Sequence, residues 1–142
     1  MVEAEGRRYP FKGVDAIRSE VLETFPYEYP EREAVVTIET DEFSAVCPYS
    51  GLPDYGTLRI RYVPDTRCIE LKSFKYYLVS FRDVGIYQEH AAAIILRDFA
   101  AACAPRWVRL ELDYRVRGGI HTVVAMEDGK RPVAMEKSGR YD

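Results

Sequence analysis

The sequence has no long apolar run, no paired-cysteine spacing, no glycine-rich dinucleotide loop and only 2 histidines. Each absence removes a class of protein. No uninterrupted apolar stretch is long enough to span a bilayer, and the opening MetValGluAlaGluGlyArgArgTyrPro lacks the apolar centre of a signal peptide. Three cysteines, an odd number, do not form a disulfide framework and fit a reducing compartment, so a cytoplasmic location without a membrane partner is expected. Cys47, Cys68, Cys103, His90 and His121 are not at ligand spacings. Three positions after Cys47 stands Ser50, where a close zinc pair would want cysteine or histidine, and no metal is expected. No GxGxxG joins a strand to a helix, so any nicotinamide cofactor would bind outside a Rossmann domain. A net charge of -3 gives no general pull toward nucleic acid, and no direct nucleic-acid partner is expected.

What is present fits one globular domain. At 142 residues the chain can bury a core without disulfide or metal staples. The 11 tyrosines, each apolar along its body and polar at its tip, favour subunit contacts or a planar ligand. The chain divides into an arm (1–32), a core (33–127) and a polar C-terminal tail (128–142). Pro10, Pro26 and Pro30 and the lack of periodicity leave the arm with little expected regular structure, laid on the surface or on a neighbouring subunit.

The core opens on alternation. Ala34, Val36 and Ile38 share one face of a first strand, and Leu58, Ile60 and Tyr62 alternate with Arg59 and Arg61 in a second. Phe74, Tyr77, Leu78 and Phe81 then fall at helical spacing, ended by Gly85. Ala92, Ile95, Leu96, Phe99, Ala102 and Cys103 form the stripe of a second helix before Pro105. Val108 to Val116 alternate strictly, Gly118 and Gly119 make a turn, and Ile120 to Met126 continue as a fourth strand. The order ββααββ implies an α+β domain, a four-stranded antiparallel sheet with two helices on one face. The other face is charged, which fits either plain solvent exposure or a sheet that curls with its copies into a water-lined barrel.

Three segments carry chemistry. CysProTyrSerGlyLeuProAsp places Cys47 and Asp54 in a proline- and glycine-constrained loop, a nucleophile with a nearby proton donor, although a lone cysteine is more often a small buried apolar residue. In Glu70LeuLysSerPheLysTyrTyr, Lys72 and Lys75 lie one helical turn apart with Ser73 as a helix cap. This is either a solvated basic face or an anion site for a phosphorylated cofactor. Glu89 falls on the stripe of Ala92 and Leu96, so its carboxylate is expected to point inward, either favouring the helix N-terminus or gripping a guanine-like edge.

Together these motifs, with SerPheArgAsp at 80–83, GlnGluHis at 88–90 and ArgGlyGly at 117–119, resemble the NADPH-dependent 7-cyano-7-deazaguanine reductases, the nitrile reductases of queuosine biosynthesis in their short single-module form. The resemblance spans about residues 34–127 and implies the tunnelling fold, in which subunits pool their sheets into a barrel and sites form between them. It implies a homo-oligomer, a decamer of two pentameric rings, with NADPH as cofactor and a 7-deazaguanine base as small-molecule substrate. Cys47 would form a covalent thioimide with the nitrile and Asp54 would deliver protons. Ile69, Glu70, Leu71, Gln88 and Glu89 would hold the substrate, and Lys72, Ser73, Lys75 and Arg117 the cofactor. The chain departs from the family at one point, where Gln88 replaces a common histidine. His90 lies about 100° further round the helix and does not simply replace it. Alternatives are an amidine-forming relative acting on nitrile-bearing transfer RNA without NADPH, a non-catalytic purine- or pterin-binding protein, and the pterin or GTP chemistry of other tunnelling-fold enzymes.

Overall fold

The computed structural model describes residues 3–135. Its centre is a four-stranded antiparallel sheet in the order β2-β3-β5-β6, formed by β2 (Val36–Val46), β3 (Pro53–Val63), β5 (Trp107–Tyr114) and β6 (Val123–Gly129). Helices α1 (Leu71–Val79) and α2 (Gln88–Cys103) lie between β3 and β5 in the chain. Two short strands, β1 (Thr24–Pro26) and β4 (Arg67–Ile69), pair antiparallel in a separate two-stranded sheet. The observed order is therefore longer than the expected ββααββ. Part of the arm, expected to lack regular structure, supplies β1 and three short 3-10 turns.

The core forms because the inward residues of the strands meet the apolar stripes of both helices. Leu58, Ile60 and Tyr62 from β3 and Val108, Leu110 and Leu112 from β5 pack against Phe74, Tyr77, Ile95 and Phe99. Tyr62 meets Phe99 edge-on with ring centres 5.0 Å apart. Burying each such side chain contributes roughly 1.5–3 kcal/mol relative to exposure. Cys103, expected in the core, is fully buried there.

One irregularity in β2 decides what faces inward at its end. Val36, Ile38 and Thr40 pair with Tyr62, Ile60 and Leu58, but after a register shift Phe43 pairs with Gly56 and Ala45 with Asp54. Asp41 and Glu42 together oppose Thr57, a β-bulge of one extra residue. The inward positions therefore change from even to odd numbers, and Phe43 and Ala45 are buried. The first strand accordingly runs well past its expected alternation. Asp54, expected in a loop, lies inside β3.

The outward face carries an ion-pair ladder. Arg59 meets Glu39 at 2.5 Å, Arg61 meets Glu111 at 3.6 Å, and Arg109 bonds Glu111 and lies 3.6 Å from Glu127. β5 and β6 are joined through a turn in which Arg117 and Ile120 exchange two backbone hydrogen bonds, with Gly118 at φ +58° and Gly119 at φ +77°. Such a two-residue turn needs left-handed backbone at both positions, which glycine supplies without strain. β6 starts at Val123, later than the expected Ile120, and still includes Asp128 and Gly129 of the expected tail. Of the rest of that tail, Val133–Met135 form a short 3-10 helix, and residues 136–142 lie outside the described residues. No helix among the described residues is long and apolar enough to cross a membrane.

Candidate active site

Cys47 follows the last residue of β2 and Asp54 is the second residue of β3, so the short turn between them forms the tip of a hairpin. The Cys47 N–H donates to the Leu52 carbonyl at 2.8 Å, and the Gly51 N–H donates to the Cys47 carbonyl at 2.9 Å. Gly51 takes φ +74° to close the turn. Because the Cys47–Leu52 bond continues the Ala45–Asp54 register, Cys47 and Asp54 are diagonal neighbours on the helix-covered face. That relation places side chains about 7 Å apart.

The turn directs its donors at the sulfur. The Ser50 N–H, then the Ser50 hydroxyl, then the Tyr49 N–H hold the Cys47 thiol below its ordinary range, against a smaller opposing effect of burial. The Tyr49 nitrogen lies 3.4 Å from Sγ. The Arg117 guanidinium adds a weaker electrostatic contribution in the same direction. Hydrogen bonds to the charged form favour a thiolate, the species that attacks electrophiles.

Asp54 is buried, only 6% exposed, and pairs with Arg117 from the β5–β6 turn. This is a different placement from the cofactor contact expected of Arg117, since its guanidinium lies on the acid beside the nucleophile. Glu89 sits in the first turn of α2 and its side chain is exposed, not inward as its stripe position suggested. It still belongs to this end of the sheet. Burial first, and then the Glu89 charge, raise the phenol of Tyr114, which pairs with Gly56 two residues beyond Asp54. Gln88 precedes it, partly buried, and the His90 ring lies against Tyr87. An open apolar cleft of ≈ 480 Å³ adjoins the turn, lined by Pro48, Ile86, Tyr87, His90, Ile94 and by Val14 of the arm.

The second expected group lies elsewhere. Ile69 is buried, and its N–H donates to the Tyr62 hydroxyl at 3.1 Å. The Asp54–Tyr62 stretch of β3 spans about 26 Å at strand rise, so Ile69, Glu70 and Leu71 occupy the opposite end of the sheet from Cys47. Glu70, not Ser73, caps α1, accepting the Lys72 and Ser73 N–H groups at 2.9 and 2.7 Å; these bonds hold its carboxyl below the usual range. Ser73 turns inward instead. Its hydroxyl accepts the Glu23 N–H at 2.9 Å and donates to the Glu70 carbonyl at 2.7 Å, which ties the arm to the helix and leaves no hydroxyl facing a cofactor.

Lys72 and Lys75 are exposed on α1, and no ion pair between described residues engages them. No acidic residue occurs from Leu71 to Arg82. Lys75 and Arg82 border a groove of ≈ 200 Å³ whose floor includes Ile38, Leu71, Phe74 and Leu78 and which Glu42 also lines. Cations beside an apolar floor suit a phosphate-bearing group, so Lys72 and Lys75 could contact the phosphates of a cofactor such as NADPH. Among the described residues, no three His, Cys, Asp or Glu side chains gather as a metal site.

The family model described as QueF-like protein matches residues 53–133 of this sequence. The chain belongs to the QueF-like family. The chain is 50% identical over 118 residues to a protein of Caldicellulosiruptor bescii named NADPH-dependent 7-cyano-7-deazaguanine reductase, covering 83% of this chain and 90% of the relative. A protein of the same name from Thermotoga petrophila is 48% identical over 139 residues, covering 96% of this chain and 100% of the relative. Among solved structures, an apo crystal structure of the archaeosine synthase QueF-Like matches with a TM-score of 0.64 and 26% identity. That match covers 69% of this chain and 96% of the other. The family model begins at Pro53, so within this QueF-like chain it takes in Asp54 but not Cys47. Cys47 is a candidate nucleophile on the geometry of its turn.

Proposed function

We propose that this chain is an NADPH-dependent 7-cyano-7-deazaguanine reductase that reduces the nitrile to a primary amine for queuosine biosynthesis. The observation that carries the reading is an activated Cys47 beside the buried acid Asp54 at one hairpin tip, in a chain about half identical to reductases of that name. NADPH supplies hydride when bound. The Cys47 thiolate adds to the nitrile carbon while the nitrogen takes up a proton, giving a thioimide. After one hydride has reached that carbon, the C–S bond breaks, Cys47 leaves as thiolate, and an imine remains. A second hydride and proton complete the amine, so two hydrides and two protons enter in total. Covalent attachment divides one difficult reduction into easier steps. Asp54 can carry these protons only after releasing Arg117, which makes the pair a control point of the cycle.

Glu89 and Gln88 hold the polar edge of the base, and Lys72 and Lys75 hold the cofactor phosphates. A base of purine size cannot touch both Glu89 and the Ile69–Leu71 segment of one chain, because they lie at opposite ends of the sheet. The complete site therefore takes Cys47, Asp54 and Glu89 from one copy and the basic helix α1 from a neighbour. A closed ring in which sheets pool into a barrel, two pentameric rings forming a decamer, provides that neighbour and covers the charged sheet face. The chain works as a single domain of residues 1–142 in the cytoplasm.

The archaeosine synthase fold likeness offers a second reading, amidine formation on nitrile-bearing RNA without NADPH. The exposed Lys72 and Lys75 and the higher identity to reductases favour the first. Incubation with 7-cyano-7-deazaguanine alone separates the readings. The wild type is expected to gain the mass of the base, Cys47→Ala is not, and added NADPH converts base to amine. Absence of an adduct under conditions where the base binds, or unchanged turnover in Cys47→Ala, overturns the mechanism. NADPH-independent incorporation of ammonia into nitrile-bearing RNA overturns the reductase reading.

A further inference from the structure

The N-terminal arm crosses the turn that bears Cys47 and fixes it at both ends. At the tip, the Tyr9 N–H donates to the Ser50 carbonyl at 3.0 Å, on the side of Ser50 opposite the donors that face the sulfur. The arm backbone rests directly on Gly51. A Cβ there would lie 2.3 Å from the Tyr9 carbonyl oxygen, so no other residue fits while the arm is seated. Arg8 lies over the Tyr49 ring, 4.2 Å from its centre, and donates to its hydroxyl at 2.6 Å.

At the base of the turn, Lys12 bridges the segment between the helices. Its N–H donates to Asp83 at 2.7 Å and its carbonyl accepts the Gly85 N–H at 2.9 Å. The Phe11 ring occupies the space where a Cβ on Gly85 would stand, 2.3 Å away. That same segment brackets Val46, the residue before the nucleophile: Val46 donates to Val84 at 3.0 Å and accepts from Ile86 at 3.1 Å. Arm, inter-helix segment and β2 end thus form three hydrogen-bonded layers, and among the described residues no other strand holds the tip of the turn.

We propose that residues 8–12 are a positioning element for catalysis, a clamp that holds the Tyr49–Ser50 donors on the sulfur of Cys47. Residues 8–12 act through Ser50 and Tyr49, the Tyr9 N–H on the Ser50 carbonyl and Arg8 on the Tyr49 ring and hydroxyl. The proposal rests on the reading of Cys47 as the nucleophile for its catalytic meaning, although the clamp itself is tested on the thiol alone. Holding Ser50 matters because a donor directed at a thiolate contributes only while its peptide keeps one orientation, and an unclamped glycine-containing turn samples many.

The test uses full-length Tyr9→Pro, which removes the N–H, together with Arg8→Ala and the conservative Arg8→Lys. Alkylation of Cys47 by iodoacetamide is followed against pH by intact mass. Tyr9→Pro and Arg8→Ala are expected to move the profile to higher pH and slow reaction at neutral pH by about fivefold, the worth of roughly one net hydrogen bond. Arg8→Lys, which keeps a cation over the ring, is expected to restore part of the rate. Turnover falls with kcat while the KM for NADPH stays put. Profiles that superimpose on wild type overturn the clamp. Should Tyr9→Pro not fold, Arg8→Ala, confined to the surface contact with Tyr49, gives the same decision. If instead Cys47→Ala keeps wild-type turnover, the functional reading fails while the alkylation profiles still judge the clamp.

Discussion

Two variants that are inactive for different reasons regain turnover when they assemble together, provided that each site draws on two copies. One chain carries Cys47→Ala and the other Lys72→Glu with Lys75→Glu. Within one chain the Ile69–Leu71 segment that heads α1 cannot meet a base on Cys47, and a neighbour that supplies this segment brings α1 with it: Ile69 hangs from the Tyr62 hydroxyl, and the Asp54–Tyr62 stretch of β3 spans about 26 Å. No side-chain rotation closes that distance, and the sheet between is filled by buried Leu58 and Ile60. In a ring where each site takes Cys47 from one copy and α1 from the next, equal random mixing leaves a half of sites with intact cysteine. A half of those also have an intact helix, so about one site in four is whole. The two variants are co-expressed under different tags, mixed assemblies are isolated by both tags, and NADPH oxidation with 7-cyano-7-deazaguanine is measured per site. The expected rate is about a quarter of wild type, against none for either variant alone. Assemblies shown by native mass to be mixed, yet no faster than either parent, would refute the two-copy site.

Other outcomes follow from single contacts. Ser50→Ala removes a hydroxyl that lowers the Cys47 thiol, so less thiolate is present at neutral pH. A hydrogen bond to a charged group is worth about 1.5–3 kcal/mol, and partial exposure selects the low end, so iodoacetamide alkylation slows about tenfold. Burial pushes the Cys103 thiol up to about 12, and native protein should take the reagent at Cys47 while Cys103 reacts only after denaturation, as peptide mass mapping will reveal. Tyr77→Phe removes a 2.6 Å hydrogen bond to the buried Asp98 and should lower Tm by about 5–9 °C in calorimetry, at roughly 3 °C per kcal/mol. Because burial and Asp98 raise the Tyr77 phenol, its stabilising effect is present below the ordinary tyrosine pKa of about 10. It fades as pH rises beyond that, a loss that Tyr77→Phe will not share. Glu89→Gln should raise the KM for the nitrile base by about tenfold or more and leave Cys47 alkylation unchanged; a change in alkylation instead would place Glu89 with the nucleophile.

Legibility in the sequence followed locality. The strict alternation from Val108 found β5, although it overran to Val116, which is 60% exposed beyond the strand. The α2 stripe identified the burial of Cys103, yet misdirected Glu89: helical period gives a direction around the axis, not whether a neighbour stands there, and the first turn lies beyond the packed core. The second half of β2 was hidden because the bulge breaks the two-residue period that reveals strands. Cys47 and Asp54 were legible as a pair because one hairpin joins them. The Asp54–Arg117 pair, 63 residues apart, has no local pattern and emerges only when β3 and β5 lie side by side. The arm was opaque for the same reason, since its order comes from Ser50, Asp83 and Gly85 and not from its own periodicity.

The extra residue at Asp41–Glu42 is absorbed where it stands: on either side of it β2 keeps its register with β3, Thr40 opposite Leu58 and Phe43 opposite Gly56. Removing one residue there would leave a single partner for Thr57 and a regular alternation, and the thiol would stay on the helix-covered face beside Asp54. The same deletion between Phe43 and Cys47 would turn either Phe43 or the thiol to the outer face. Chain length is thus free at the bulge and fixed between the bulge and the nucleophile.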